Sequence, residues 1–266
     1  MSGVPTDHDE HPVAWREAGP HDGEVVALLH GLGGSRTAWE PQLEALAGAG
    51  WRAAAWDMPG YGRSAAPPSW TFEALADAAA TWAARLGGRA HILGLSLGGM
   101  VALHLALRHP HVVRSLVVCD SSPAFGFDGT TDAATWVAER LAALRDGGSP
   151  AAIAPGLLRS IMAPGATGID AAVAAMSRID TEALAGAIGC VPTHDLVGRL
   201  GAIGVPTMVV VGELDQQTPP HYSEHLAANI PGARLEVIAG AGHLSNLERP
   251  EAFNALLVRF LAELGR

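Results

Sequence analysis

The residues Gly94-Leu95-Ser96-Leu97-Gly98 interrupt an apolar stretch, ILGLSLGGMVALHLAL, with a single hydroxyl flanked by glycines. In a chain with 32 glycines the G-x-S-x-G pattern carries little weight by itself, so its setting decides. RAHIL precedes it with strand character, and MVALHLALRHP follows it with helical spacing. A serine at such a strand-to-helix turn is held in a strained backbone conformation with its hydroxyl exposed, the setting of a nucleophile elbow. The competing reading is a glycine-rich turn that only packs helix on sheet. A helix starting there would also aim the N–H of Leu97 at an oxyanion formed by attack on a carbonyl.

A serine hydroxyl attacks well only when a base accepts its proton, usually a histidine oriented by a carboxylate. Of the 12 histidines, His8 and His11 fall in a polar N-terminal tail, and His104, His109 and His111 lie on or after the segment following Ser96. His221 and His225 have surface-helix spacing; without an HExxH pattern or a third ligand they do not read as zinc ligands. His243 differs, because it follows the strand-like RLEVIAG through Ala239-Gly240-Ala241-Gly242, a loop able to turn toward the elbow. For the acid, Asp215 ends VVVGELD and so leaves the sheet at a strand's C-terminal end. Asp120, after VVC, competes with it, and Glu213 is a weaker third. Asp57, in DMPGYGRS, reads as the cap of a tight turn.

Composition removes several chemistries. All 17 basic residues are arginines, so Schiff-base chemistry, pyridoxal phosphate attachment, a Walker lysine and a Ser-Lys dyad are excluded. A net charge of −10 without a basic cluster argues against a nucleic-acid surface. MSGVPTDHDEHPVAW has neither the charged nor the apolar region of a secretory signal, and no apolar run approaches a membrane span, so a cytoplasmic location is expected. Cys119 and Cys190 read as buried free thiols. No metal and no cofactor are implied.

The elements that would position these groups alternate. Strand-like runs EVVALLHG, WRAAAWD, RAHILGLS, VRSLVVCD, PTMVVVGELD and RLEVIAG are separated by amphipathic segments such as AWEPQLEALAGAG and TFEALADAAATWAARL. That rhythm predicts an α/β fold, a mostly parallel sheet with helices on both faces. Phe253, Leu256, Leu257, Phe260, Leu261 and Leu264 form one apolar stripe, predicting a closing helix docked on the sheet. The first 22 residues hold one edge strand, VAWREAG, and are otherwise loose. Between 122 and 196 strand-like runs vanish and Ala/Gly-rich helical pieces appear, ATWVAERLAALRDGG and IDAAVAAMSRI among them. The expected organisation is therefore a core in two parts, 1–121 and 197–266, interrupted by a helical cap, 122–196.

HGLGGS, DMPGYGRS, GLSLGGMVA, VVVGELDQQTP and AGAGHLSNLERPEAF, in this order, resemble the motifs of the α/β-hydrolase superfamily over nearly the whole chain. GLSLGGMVA, the CDSSP turn and GHLSNLERPEAF are most similar to the 3-oxoadipate enol-lactonases and related small esterases and lactonases. The resemblance implies the α/β-hydrolase fold and cofactor-free hydrolysis of a small-molecule ester or lactone. It implies Ser96, Asp215 and His243 as the triad, in the family's chain order, with the N–H groups of Leu97 and Leu32 as oxyanion donors. His30, beside Leu32, then stands behind the loop as a structural residue.

Those lactonases carry a tryptophan early in the cap with arginines three and eight residues later. Here Trp136 is followed by Arg140 and Arg145, four and nine later, a shift that rotates a helical side chain by about 100°. The three residues are candidate substrate contacts, and a solvated helix face is the alternative for both arginines. The same fold and triad also serve C–C bond hydrolysis, acyl transfer and perhydrolysis, and a low-turnover ligand-binding protein would keep the same pocket.

Overall fold

The computed structural model describes residues 4–9, 11–145 and 148–265. Residues 1–3, 10 and 266 of the two expected core parts, and 146–147 of the expected cap, lie outside the described residues. Along the chain run β1 (Thr6–His8), β2 (Trp15–Ala18), β3 (Val25–Leu29), α1 (Glu40–Gly48), β4 (Arg52–Trp56), α2 (Phe72–Gly87), β5 (Ala90–Leu95), α3 (Leu97–Arg108) and β6 (Val113–Cys119). Four helices follow, α4 (Ala133–Arg145), α5 (Pro150–Ile161), α6 (Ile169–Met176) and α7 (Thr181–Cys190). The chain closes with β7 (Thr207–Gly212), α8 (Pro220–Asn229), β8 (Arg234–Ile238), α9 (Ser245–Glu248) and α10 (Pro250–Glu263).

Among the described residues, eight strands form one sheet in the order β1-β2-β4-β3-β5-β6-β7-β8. Only β1 with β2 and β2 with β4 pair antiparallel; the six strands from β4 to β8 run parallel. β3 feeds β4 on one side, and the chain then returns to β5 on the other. That reversal opens a crevice beyond the C-terminal ends of β3 and β5, where ligands of such sheets bind. β3, β5 and β7 are buried along their whole length, as strands covered on both faces must be.

One face of the sheet is sealed by α1 and α10, where Phe253, Leu257, Phe260 and Leu261 are buried and Leu256 and Leu264 pack half-buried at the margin. On the other face α2, α3 and α8 join a larger core that continues into the helices between β6 and β7. α3 lies between layers, its first ten residues all buried, which fixes the start of that helix and hence Ser96. In the segment between β6 and β7, Ser149 caps α5 and Pro150 opens it, while Pro155 sits inside the same helix rather than ending it.

The N-terminal segment departs from expectation. β2 is not the edge, because β1 pairs outside it through Thr6↔Glu17 and His8↔Trp15. His8 and His11 are not a loose polar tail either: their rings stack on Trp15 at centroid distances of 4.5 and 5.0 Å. An exposed strand of three polar residues offers no apolar alternation, so nothing in its pattern announced it. Both cysteines are free and buried. Among the described residues no helix is long and apolar enough to cross a membrane.

Candidate active site

The turn after β5 answers why glycines surround Ser96. A Cβ on Gly94 would lie 2.2 Å from the carbonyl oxygen of Gly98, and one on Gly98 would lie 2.1 Å from that of Leu29. Helix and strand thus cross at a separation only bare backbone allows. Ser96 itself sits at φ 54°, ψ −118°, a conformation that costs a non-glycine residue about 1–3 kcal/mol. Its carbonyl is held by Met100 N–H at 3.0 Å and by the Ser121 hydroxyl at 2.8 Å, and its N–H donates to Cys119 O at 2.9 Å. The backbone is anchored and the side chain is left to face the crevice.

His243 Nε2 lies 2.9 Å from Ser96 Oγ, and its Nδ1 lies 2.9 Å from Asp215 Oδ2. With Nδ1–H donating to the carboxylate, Nε2 is the lone-pair nitrogen that accepts the serine proton. Asp215, 3% exposed, also accepts the N–H groups of Gln217 and Thr218 on Oδ1 and the Thr218 hydroxyl on Oδ2. Burial by itself would raise its pKa; the charge and hydrogen bond of His243 together with Thr218 overcome this and hold it below the ordinary carboxylate value. For His243 burial favours the neutral ring, yet the Asp215 charge and hydrogen bond, then Asp120 and Glu248, raise its pKa above the usual histidine value. This set can carry a proton from a hydroxyl to an imidazole and stabilise the resulting imidazolium.

Asp120 is close by but differently employed. Its oxygens accept Gly212 N–H at 2.8 Å and Ser245 N–H and Oγ–H at 3.0 and 2.7 Å, and the histidine's Nδ1 points to Asp215 instead. Asp120 is strained, at φ 43°, and fully buried. Burial, reinforced by the neighbouring Asp215 charge, pushes its pKa up to about 7. Glu213 faces away, accepting Gly240 N–H.

Leu97 opens α3, so its N–H has no intrahelical acceptor. Leu32 follows β3 across the crevice, its carbonyl held by the Tyr61 hydroxyl at 2.7 Å, and both leucines line the same cavity as Ser96 and His243. His30 is fully buried behind them: Nε2 accepts Met58 N–H at 2.9 Å, which leaves Nδ1–H to donate to Gly31 O at 2.9 Å, and burial depresses its pKa. Asp57 accepts Arg36 N–H at 3.0 Å and Arg63 N–H at 3.4 Å, bracing the turn that carries Tyr61.

The cavity, about 500 Å³, lies between the sheet's C-terminal edge and helices α4–α7, and its walls include Met100, Phe125, Ile153, Leu158, Met176 and Ile188. Trp136 and Arg140 also line it, the guanidinium lying 3.9 Å above the indole. Burial lowers the Arg140 pKa, which neighbouring Glu139 partly opposes. Arg145 is not brought to the cavity; it is exposed at the end of α4. Nine residues of helix turn a side chain about 180° from Trp136, whereas four turn it only about 40°, so the two arginines face opposite ways. His221 is exposed, 3.8 Å from Asp128, and His225 packs on Phe127. No cluster of three or more His, Cys, Asp or Glu suited to a metal occurs among the described residues.

Sequence reasoning missed three participants. Thr218 had a signal: an Asp with donors two and three residues on is an Asx-turn pattern. Glu248, 1% exposed, had none, because it accepts only backbone N–H groups. His194, buried at the end of the segment between β6 and β7, bonds His104 of α3 at 3.2 Å and Ser122 O at 2.9 Å, a long-range pairing without a local pattern.

Residues 26–256 match the model of the alpha/beta hydrolase family. The chain belongs to that family, and it is a hydrolase. A protein of Variovorax paradoxus with the provisional name of carbamate hydrolase RutD is 34% identical over 96% of this chain and 97% of its own. A pimeloyl-[acyl-carrier protein] methyl ester esterase of Neisseria meningitidis is 34% identical over 92% of this chain and 79% of its own. The crystal structure of the enol-lactonase from Burkholderia xenovorans superimposes with a TM-score of 0.84 at 27% identity, covering 94% of this chain and 96% of that one. Fold and resemblance to small esterases and lactonases are thereby established.

Proposed function

We propose that this hydrolase cleaves a small carboxylic ester or lactone through an acyl-enzyme on Ser96. The observation that carries the reading is the unbroken hydrogen-bonded series Ser96 Oγ, His243 Nε2, His243 Nδ1, Asp215 Oδ2 at the floor of the cavity. Ser96 Oγ attacks the carbonyl carbon while His243 takes its proton, and the C=O electron pair moves to an oxyanion held by the N–H groups of Leu97 and Leu32. Collapse expels the leaving oxygen, which receives the proton from His243. Water then attacks the acyl-enzyme with His243 again as base, releasing the acid and restoring Ser96. Asp215 stays ionised throughout and stabilises the imidazolium. Each oxyanion donor in such a site is worth about 3–4 kcal/mol of barrier.

Residues 122–196 act as a cap that selects the acyl and leaving groups. Its inner face is mostly apolar, with Ser122, Thr131, Glu139 and Arg140 as its polar side chains, and Arg140 makes no ion pair among the described residues. A half-buried cation facing a substrate cavity suits a substrate that carries a carboxylate, as the 3-oxoadipate enol-lactone does. The carbamate and methyl ester in the relatives' names contain the same reacting unit, a carbonyl bearing a heteroatom leaving group. Comparing kcat/KM over a panel of lactones, including the enol-lactone, methyl esters, carbamates and p-nitrophenyl acetate tests the reading. Ester or lactone turnover supports it. A protein that binds these compounds without releasing acid, or that cleaves only C–C bonds or transfers acyl groups to acceptors other than water, does not fit it.

A further inference from the structure

The loop that carries His243 is held in an unusual way. Its four successive N–H groups go to acceptors on three residues, none in its own strand: Gly242 to Glu248 Oε2 at 2.9 Å, His243 to Ile161 O at 3.0 Å, Leu244 to Glu248 Oε1 at 3.0 Å, and Ser245 to Asp120 Oδ2 at 3.0 Å. Ile161 ends α5, and the same Glu248 Oε2 also accepts Ala163 N–H at 2.8 Å. One buried carboxylate therefore grips both the histidine loop and the helical segment above the cavity. The two lie in direct backbone contact, since a Cβ on Gly242 would meet Ala163 N at 2.7 Å and Ile161 O at 2.8 Å.

We propose that Glu248 is a positioning residue that locks the His243 loop to segment 161–163, so that the base is in register with Ser96 only while that segment is seated. The proposal rests on the reading of His243 as the base. A carboxylate serves better than a neutral acceptor here. Its two oxygens take three N–H groups in a buried site, and charge-assisted bonds are shorter and stronger. Because segment 161–163 leads out of α5, whose Ile153, Leu157 and Leu158 line the cavity, substrate that seats α5 also seats the histidine.

Glu248→Gln keeps the shape but turns an NH2 toward at least one N–H donor. Misplacement of a catalytic group by about 1 Å costs on the order of 100-fold, so kcat for p-nitrophenyl acetate should fall about 10- to 100-fold while KM changes less than about threefold. The acid limb of the kcat/KM profile should also move to lower pH. Of the carboxylates that raise His243, Asp215 and Asp120 remain, and removing the third makes the ring easier to deprotonate. A kcat within about twofold of wild type, or a fall in kcat with the limb unmoved, overturns the proposal.

Hydrogen exchange on the unmutated protein supplies a check that does not depend on the variant folding. If Glu248 makes one unit of the two segments, the amides of Ala163, Gly242 and Leu244 should open together with matching protection. Exchange of Ala163 at about 100 times the rate of the other two overturns it. Fluorophosphonate labelling of Ser96 in His243→Ala at the wild-type rate would instead sink the reading of His243 as base and leave the exchange result standing.

Discussion

The edge of the sheet and the helical layer above it are built from opposite materials. At the edge, Ser96, His243, Asp215, Asp120 and Glu248 are tied by hydrogen bonds to one another or to backbone, and both positive-φ non-glycine residues among the described residues, Ser96 and Asp120, fall there. In the layer, α4 buries only Leu144, and the cavity side of α4–α7 is mostly apolar, with a cation stacked on Trp136. Proton transfer needs atoms held to fractions of an ångström, and hydrogen-bonded backbone supplies that; choosing an acyl group needs shape and a charge or two. On the proposed reading, bond-making groups sit on the edge and substrate-choosing groups on the layer, joined through Glu248, so substitutions on the two sides should be felt mainly in different kinetic constants.

The largest effect belongs to the edge. Ser96→Ala removes the attacking oxygen and should lower kcat by about 10⁶, the loss known from subtilisin, while thermal melting stays near wild type. Asp215→Asn should cost about 10⁴ in kcat through the wrong imidazole tautomer, and Asp120→Asn less than about 10²; a reversed order in steady-state rates would make Asp120 the acid.

The layer should respond in KM. Arg140→Ala removes a contact worth about 1.5–3 kcal/mol, so KM for a carboxylate-bearing lactone should rise about 10-fold or more, with little change for a neutral ester. Arg145→Ala should change neither. Equal small effects of both would leave a general esterase with a solvated α4.

The smallest effect lies where the layer joins the core. Burial holds His104 and His194 neutral, with pKa values down to about 4; the positive charges of Arg199 and Arg108 push His104 the same way, while for His194 the Ser122 carbonyl and then Asp195 only partly oppose it. The unfolded chain takes up these protons near the ordinary histidine pKa of about 6.5 and the folded one only near 4, so stability should fall as pH drops through that window. Thermal melts from pH 7 to pH 4 should show a falling Tm, with a shallower slope in His104→Gln.

How much of this was legible from sequence follows the same division. Six strands, the elbow at Ser96 and the strand-end positions of Asp215 and His243 all leave local patterns, because period and turn chemistry are local. β1 escaped notice because three polar residues at an edge alternate nothing. Glu248 escaped because a side chain that binds only main-chain N–H groups imposes no residue type on its partners. The His104–His194 pair joins residues far apart in the chain. The orientation of Arg145 was available, since helical rotation alone separates it from Trp136 and Arg140; the arginine pattern of the lactonases obscured it.

The central claim is that Ser96 is a nucleophile activated by His243. Intact-mass and peptide mass spectrometry after treatment with a fluorophosphonate tests it most directly. The account predicts one phosphonyl adduct per chain, on the peptide containing Ser96, absent in Ser96→Ala and formed orders of magnitude more slowly in His243→Ala. An unlabelled wild-type protein, or an adduct on another residue that persists in Ser96→Ala, would contradict it.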